Sequence, residues 1–264
     1  MKPRFESQSF AKRLTSMLKV DFRRMFTMPL FYIMAGICFA IPVLTLVMTT
    51  MFMGTTVDPV TGAEAVMVTF TNVWQSIGSA SAAGMSMDLT SMCNINMMYF
   101  LAAVLVCLFV SEDFRSGYVK NLFAVRSKKT DYVISKTAVS LVGCVGILLS
   151  YFVGAMLGGA IAGLPFDMGT AGVNGIIMCM LSKIFLMAVF VSIYLTLSVS
   201  GKDKAWLSIL GSFMAGMLMY MMIPMMTPLD ATFIHVGMCL AGGVLFSIGL
   251  GAVSNMILNR TNLV

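Results

Sequence analysis

The chain has 264 residues, of which 59% are hydrophobic and 11% are charged, and its formal net charge is +6. A soluble domain carries about 25% charged residues, so this composition excludes an ordinary water-soluble fold and indicates that lipid is the main solvent. The basic residues fall in separate clusters between apolar stretches. That pattern is typical of membrane topology and argues against a nucleic-acid-binding surface.

Residues 1–28 predict a basic amphipathic helix at the cytoplasmic face of the membrane. Leu14, Leu18, Phe22 and Met25 recur at spacings of four and three, so they share one face of a helix, and basic residues occupy much of the remainder. A helix of this kind lies along an anionic leaflet with its apolar side chains in the head-group boundary. The alternative is a helix whose apolar face packs on another protein.

Six apolar stretches follow, and each is long enough to cross a hydrocarbon core of about 30 Å. They occupy residues 30–53, 92–110, 133–163, 175–199, 205–223 and 233–258. We therefore expect an all-α integral membrane protein in which residues 29–264 form one domain of six transmembrane helices. Pro42 predicts a kink in the first of them, since proline removes one helical hydrogen bond.

Small residues in the third apolar stretch predict a close contact between helices. They recur every four positions: Gly146, Ser150, Gly154, Gly158 and Ala162. Such a stripe lets a neighbouring backbone approach closely, which is how helices associate in lipid.

The distribution of Lys and Arg predicts that both termini are cytoplasmic. Seven basic residues precede the first span, six lie in residues 111–136, two lie in the loop 200–204 and one follows the last span. The three intervening connections contain none, as expected for loops on the outer side. The first of these, residues 54–91, is expected to rest on the outer interface with Trp74 as its anchor.

The chemistry-bearing motifs of a nucleotide-binding or metal-binding enzyme are missing from this sequence. A phosphate-binding loop needs GxxxxGK[ST] after a strand, whereas Gly201-Lys202 lies between two apolar helices and lacks the first glycine. The six cysteines form no CxxC pair, and nearly all lie inside apolar stretches, which is typical of packing residues. We therefore expect no cofactor, metal site or ATP hydrolysis on this chain.

Two further features leave alternatives open. Ser86 and the lone His235 faintly resemble the catalytic pair of an intramembrane serine protease. Lys183 is the only charged side chain within a span, and it either lines a translocation path or extends outward to the interface.

Residues 111–136 carry the most specific pattern, a basic polar loop between two apolar stretches. Glu112-Asp113-Phe114-Arg115-Ser116-Gly117, followed by Lys120-Asn121, resembles the start of the coupling loop of type-2 ABC exporter permeases. Arg126-Ser127, Asp131-Tyr132 and Lys136 resemble the end of that loop, where it enters the third span. The arrangement of six spans after an amphipathic N-terminal helix also resembles the layout of that family.

This resemblance implies that residues 113–123 form a coupling helix that docks on a separate cytoplasmic ATPase, with the loop 200–204 as a second contact. The residues that it assigns to ATPase coupling are Glu112, Asp113, Phe114, Arg115, Gly117, Tyr118, Lys120, Asn121, Arg126, Lys136, Lys202 and Asp203. Two ATPase subunits would carry the ATP and Mg, and a second permease copy, identical or related, would complete the transporter.

The nearest members of the family are permeases of lantibiotic-immunity and phenol-soluble-modulin systems. The resemblance therefore implies export of hydrophobic or amphipathic antimicrobial-type peptides across a bacterial plasma membrane. An exporter of drugs or other small amphiphiles is the alternative within the family. An intramembrane protease and a non-transporting membrane sensor are alternatives of another class.

Overall fold

The computed structural model describes residues 9–51, 55–57, 64–66, 70–78, 94–124, 128–169 and 171–260. This part of the chain is helical, apart from an antiparallel hairpin of two three-residue strands, β1 (Thr55–Val57) and β2 (Glu64–Val66). Its α-helices are α1 (Phe10–Thr27), α2 (Pro29–Met51), α3 (Met98–Arg115), α4 (Tyr118–Ala124), α5 (Lys129–Ala162), α6 (Gly172–Gly201), α7 (Ala205–Tyr220), α8 (Met222–Met226) and α9 (Phe233–Arg260). Two 3-10 helices, η1 (Val73–Ser76) and η2 (Ile95–Met97), precede α3.

Five of these helices, α2, α3, α5, α6 and α9, are long and apolar enough to cross a membrane. The fifth expected span, residues 205–223, is divided, because α7 has only sixteen residues and α8 follows it as a separate short helix. Pro224 lies within α8 and has no N–H to continue the hydrogen-bond ladder of α7, which explains the break.

The expected loop 111–136 is largely helical. The preceding helix, α3, continues to Arg115, α4 lies within the loop, and α5 already begins at Lys129. At its other end α3 starts at Met98, six residues later than expected, because the Asn94 side chain caps η2 by accepting a hydrogen bond from the Asn96 N–H.

The helices α2 and α5 run parallel in close contact. Ser150 Oγ donates a hydrogen bond of 2.8 Å to a backbone carbonyl of α2. Gly154 and Gly158 lie against the α2 backbone at Phe39 and Val43, where any added side chain would collide. The small-residue stripe predicted from the sequence is therefore confirmed as a helix-packing surface.

The first helix, α1, packs beside the beginning of α5. Arg13 pairs with Asp131, and Met25 contacts Gly143, so the two helices stay in register over twelve residues of each. The apolar face predicted for α1 turns toward this contact: Met25 is fully buried, and Leu18 packs against the hydrophobic core. That face thus packs on other helices of the same chain.

The remaining helices surround α6, which runs parallel to α3 and α9. The Tyr99 hydroxyl of α3 donates to the Lys183 carbonyl at 2.9 Å, and the Ser192 and Ser247 hydroxyls join α6 to α9 at 2.9 Å. The returning helix α7 is antiparallel, since Gly216 near its end lies against Tyr194.

These directions place the connections at two opposite ends of the helix bundle. One end, called here the basic end, contains α1, α4, the start of α5, the α6–α7 turn and the end of α9. Apart from Lys183, every Lys and Arg of the described residues lies toward this end: Lys12, Arg13, Lys19, Arg23, Arg24, Arg115, Lys120, Lys128, Lys129, Lys136, Lys202, Lys204 and Arg260.

The opposite end is closed by η1. Trp74 is only 6% exposed, and its indole N–H donates to the Phe166 carbonyl at 3.1 Å, while the Val73 N–H donates to the Pro165 carbonyl at 3.3 Å. Trp74 thus packs within the protein at this end, because its polar edge finds a partner in the α5–α6 connection and its rings pack in a small apolar cluster with Ile176.

Candidate functional site

A buried network of four charges, called here the charge cluster, joins α1, α3 and α5 at the basic end. It consists of Asp21, Arg24, Asp113 and Lys136. Lys136 Nζ lies 2.9 Å from Asp21 Oδ1 and 2.7 Å from Asp113 Oδ2, and Arg24 Nη1 lies 2.6 Å from Asp113 Oδ1. The side chains of Asp21, Asp113 and Lys136 are fully buried.

Neutral side chains complete the charge cluster. The Ser135 hydroxyl donates to Asp21 Oδ2 at 2.6 Å, the Tyr132 hydroxyl donates to Asp113 Oδ2 at 3.0 Å, and Lys136 Nζ lies 3.9 Å from the centre of the Phe109 ring. Two acids and two bases make the cluster electrically neutral. Burial of charges is tolerated only with such pairing, because each ion loses its hydration.

The helix periodicity brings these side chains together. Asp21 lies four residues from both Met17 and Met25, so it shares the buried face of α1. On α5, Tyr132 and Lys136 are also four residues apart and both contact Asp113 at the end of α3. Three helices distant in sequence are thus joined at one point.

The charge cluster holds the short helix α4 in place. Gly117 has a φ of 73° in the turn between α3 and α4, a left-handed conformation that favours glycine. The Arg24 guanidinium carbon lies 4.1 Å from the centre of the Tyr118 ring, and Val119 is buried. Lys120 and Asn121 remain exposed, so α4 presents a polar face at the basic end.

The stacked side chains of Arg24 and Tyr118 have opposite requirements, a charged guanidinium and a neutral phenol. Burial lowers the pKa of the Arg24 guanidinium, but the Asp113 carboxylate outweighs this and the net pKa is raised. Burial, reinforced by Asp21, raises the pKa of the Tyr118 phenol. Arg24 therefore stays charged and Tyr118 stays neutral, which preserves their stacking.

The described residues that were expected to contact an ATPase fall into three groups by exposure. Exposed side chains are Glu112, Arg115, Lys120, Asn121, Lys202 and Asp203, and half-buried residues are Phe114, Gly117 and Tyr118. Asp113 and Lys136 are fully buried, so their side chains act within the protein and reach no partner directly. Arg126 lies outside the described residues.

The α6–α7 turn lies at the same end as α4. Its residue Lys202 has a φ of 54° and a ψ of −118°, an unfavourable conformation for a residue with a side chain. The Lys202 and Asp203 side chains are exposed in this turn.

Sequence reasoning missed Asp21 and Arg24. The sequence does contain a signal for Asp21, because an acid on the apolar face of an amphipathic helix needs a cationic partner when that face is buried. The sequence does not identify that partner, since Lys136 lies more than a hundred residues away.

Lys183 is enclosed near the opposite end of the bundle. Its Nζ donates to Asn96 Oδ1 and to Thr227 Oγ1, both at 2.8 Å, and its side chain is fully buried. It therefore does not extend to the surface; it connects α6 to η2 and to the residue after α8. This arrangement satisfies the amine with neutral acceptors inside the protein.

Of the two residues that suggested a protease, the structure describes only His235. His235 is half-buried, and its Nδ1 lies 3.0 Å from the Thr232 hydroxyl, whereas Ser86 lies outside the described residues. The described residues contain no group of three or more His, Cys, Asp or Glu side chains arranged to hold a metal ion.

Comparison of the chain with protein-family models, curated proteins and solved structures finds no match.

Proposed function

We propose that this chain is the permease subunit of an ABC-type exporter, which moves hydrophobic or amphipathic peptides out of the cell. ATP and Mg are bound by a separate cytoplasmic ATPase. The observation that carries the proposal is the anchoring of α4, whose Tyr118 stacks on Arg24 of the charge cluster while Lys120 and Asn121 face outward. A mechanical contact needs such a short element, rigidly attached to the helices that it moves.

In this proposal the protein crosses the membrane six times with both ends in the cytoplasm. The concentration of Lys and Arg at the basic end supports that orientation. The helices α7 and α8 together supply the fifth crossing in chain order, in addition to the five long helices. At 34 residues, α5 is about 51 Å long, well beyond the hydrocarbon thickness of about 30 Å. Its first turns therefore extend to the cytoplasmic surface, where α1 packs beside them in place of lying free on the lipid.

The charge cluster would transmit force between the ATPase and the membrane helices. A push on α4 reaches Asp113 through the Gly117 turn, and Asp113 is tied to α5 by Lys136 and to α1 by Arg24. Because buried ion pairs resist separation, the ends of the three helices move as one body. Two copies of this chain, or this chain and a related one, would enclose the peptide path.

The proposal is tested by photo-crosslinking in cells. A photoreactive amino acid at Lys120, Asn121 or Asp203 should capture an ATPase with a Walker motif, identified by mass spectrometry. The matched control is the same amino acid at Phe166, which is 41% exposed at the opposite end. Capture of the ATPase from Phe166, or of none from α4, would contradict the proposal.

A functional arm uses the captured ATPase with this chain in proteoliposomes. An amphipathic peptide substrate should change the rate of ATP hydrolysis, whereas a small amphiphilic drug should not. Stimulation by the drug alone would favour the small-molecule exporter over the peptide exporter. An intact transporter in which neither ligand alters hydrolysis would instead favour a non-transporting sensor.

A further inference from the structure

A groove of about 210 Å³ opens between the end of α1 and the end of α3. It is lined by Arg24, Thr27, Met28, Phe109 and Glu112. The groove lies where α1 gives way to α2, the first helix long and apolar enough to span a membrane. That position corresponds to the depth at which lipid head groups meet the protein.

The two charged residues of the groove are both partly or fully exposed. Arg24 Nη1 is held against Asp113, and 30% of the Arg24 side chain is exposed where this residue lines the groove. Glu112 is exposed, and no Lys or Arg of the described ranges forms an ion pair with its carboxylate. The groove therefore presents a partly exposed cationic side chain beside an exposed carboxylate.

The other residues of the groove indicate which chemical groups of a ligand it can bind. The Thr27 hydroxyl donates to the Arg23 carbonyl at 2.8 Å, which leaves its oxygen lone pairs free to accept from an ammonium group. Phe109 and Met28 provide an apolar floor. A guanidinium binds phosphate oxygens through paired N–H donors, and a carboxylate prefers a compact primary amine.

We propose that this groove binds the zwitterionic head group of an aminophospholipid, with the phosphate on Arg24 and the primary ammonium on Glu112 and Thr27. An anionic head group without an amine places negative charge beside Glu112. A trimethylated amine has no N–H to donate to Glu112. Phosphatidylethanolamine satisfies both ends, and its glycerol backbone and acyl chains continue over Phe109 and Met28.

Bound lipid would also act on the charge cluster, because Arg24 belongs to both. A phosphate that orients the guanidinium holds Nη1 on Asp113 and the guanidinium plane over Tyr118. The head group thus becomes a removable member of the network that anchors α4. This inference concerns lipid binding and holds whether or not the chain transports peptides.

The test measures lipid retention by the purified chain alone. Protein in detergent is mixed with equal amounts of dioleoyl phosphatidylethanolamine, phosphatidylcholine and phosphatidylglycerol, and bound lipid is counted by native mass spectrometry. We expect about a tenfold preference for phosphatidylethanolamine, the size of one charged hydrogen bond. Glu112→Gln should reduce this preference to less than twofold, whereas Asp203→Asn, also exposed at the basic end, should retain it.

Because Glu112 is on the surface, its substitution should not disturb folding, and thermal unfolding of the variant checks this. Equal retention of all three lipids by the unmodified chain would overturn the proposal, as would an unchanged preference in Glu112→Gln. Soluble glycerophosphoethanolamine supplied in tenfold excess should fail to displace the lipid. Displacement would show that a free metabolite is the ligand and would overturn the lipid assignment.

Discussion

Lys136 is the residue on which the charge cluster depends, because its single amine pairs with both buried carboxylates. Replacement by methionine, Lys136→Met, keeps the length of the side chain but leaves Asp21 without a cation. Breaking a buried ion pair by removing one partner costs about 3–5 kcal/mol. We expect this loss in the free energy of unfolding, measured by titration with a denaturing detergent.

The matched control is Lys120→Met on the exposed face of α4. Surface substitutions of this kind change stability by about 0.5 kcal/mol or less. Equal stability of the two variants would mean that the cluster contributes nothing to the fold.

For individual residues, the sequence analysis identified two members of the charge cluster but assigned them a different role. The resemblance to ABC permeases singled out Asp113 and Lys136, but as surface contacts, and the structure buries both. The difference has a physical cause. Whether a charge in a polar loop faces water depends on which segment packs over it. Here that segment is α1, which is distant in sequence and supplies the partner charges Asp21 and Arg24.

Among the helices, the α2–α5 contact gives the sharpest prediction. Gly154→Ala places a methyl group against the Phe39 carbonyl and Pro42, which forces the two backbones apart. Overpacking of this kind costs about 1–3 kcal/mol. The measurement is again the free energy of unfolding.

Gly36→Ala provides the comparison, because Gly36 lies in α2 with nothing within 4 Å of an added methyl group. Alanine favours a helix over glycine by about 0.5–1 kcal/mol, so this variant should be more stable than the parent chain. A stabilising effect at both positions would show that the helices are not in contact at Gly154.

Apolar periodicity and length predicted the five long helices, and glycine spacing predicted how two of them pack. The sequence did not predict the partner of Trp74. Its indole N–H donates to the Phe166 carbonyl in the α5–α6 connection, about ninety residues away. Contacts between distant segments leave no periodic signal.

For the whole molecule, the segregation of charge predicts which positions face each compartment. We expect cysteines introduced at Lys120, Lys202 and Arg260 to resist a membrane-impermeant maleimide in intact cells, and cysteines at Phe166 and Val173 to react. The five described native cysteines are buried, so a background with Cys93→Ser gives little unwanted labelling. Reaction at Arg260 but not at Lys202 would indicate that α7 and α8 do not cross the membrane.

The pairing of Asp21 with Lys136 has a consequence for biosynthesis. A ribosome makes Asp21 more than a hundred residues before Lys136, so the nascent chain carries this carboxylate without the amine that faces it in the folded protein. The packing of α1 on α5 can therefore be completed only after α5 has been made. A chain arrested before Lys136 has an acid on the buried face of α1 without that cation, which costs free energy in apolar surroundings.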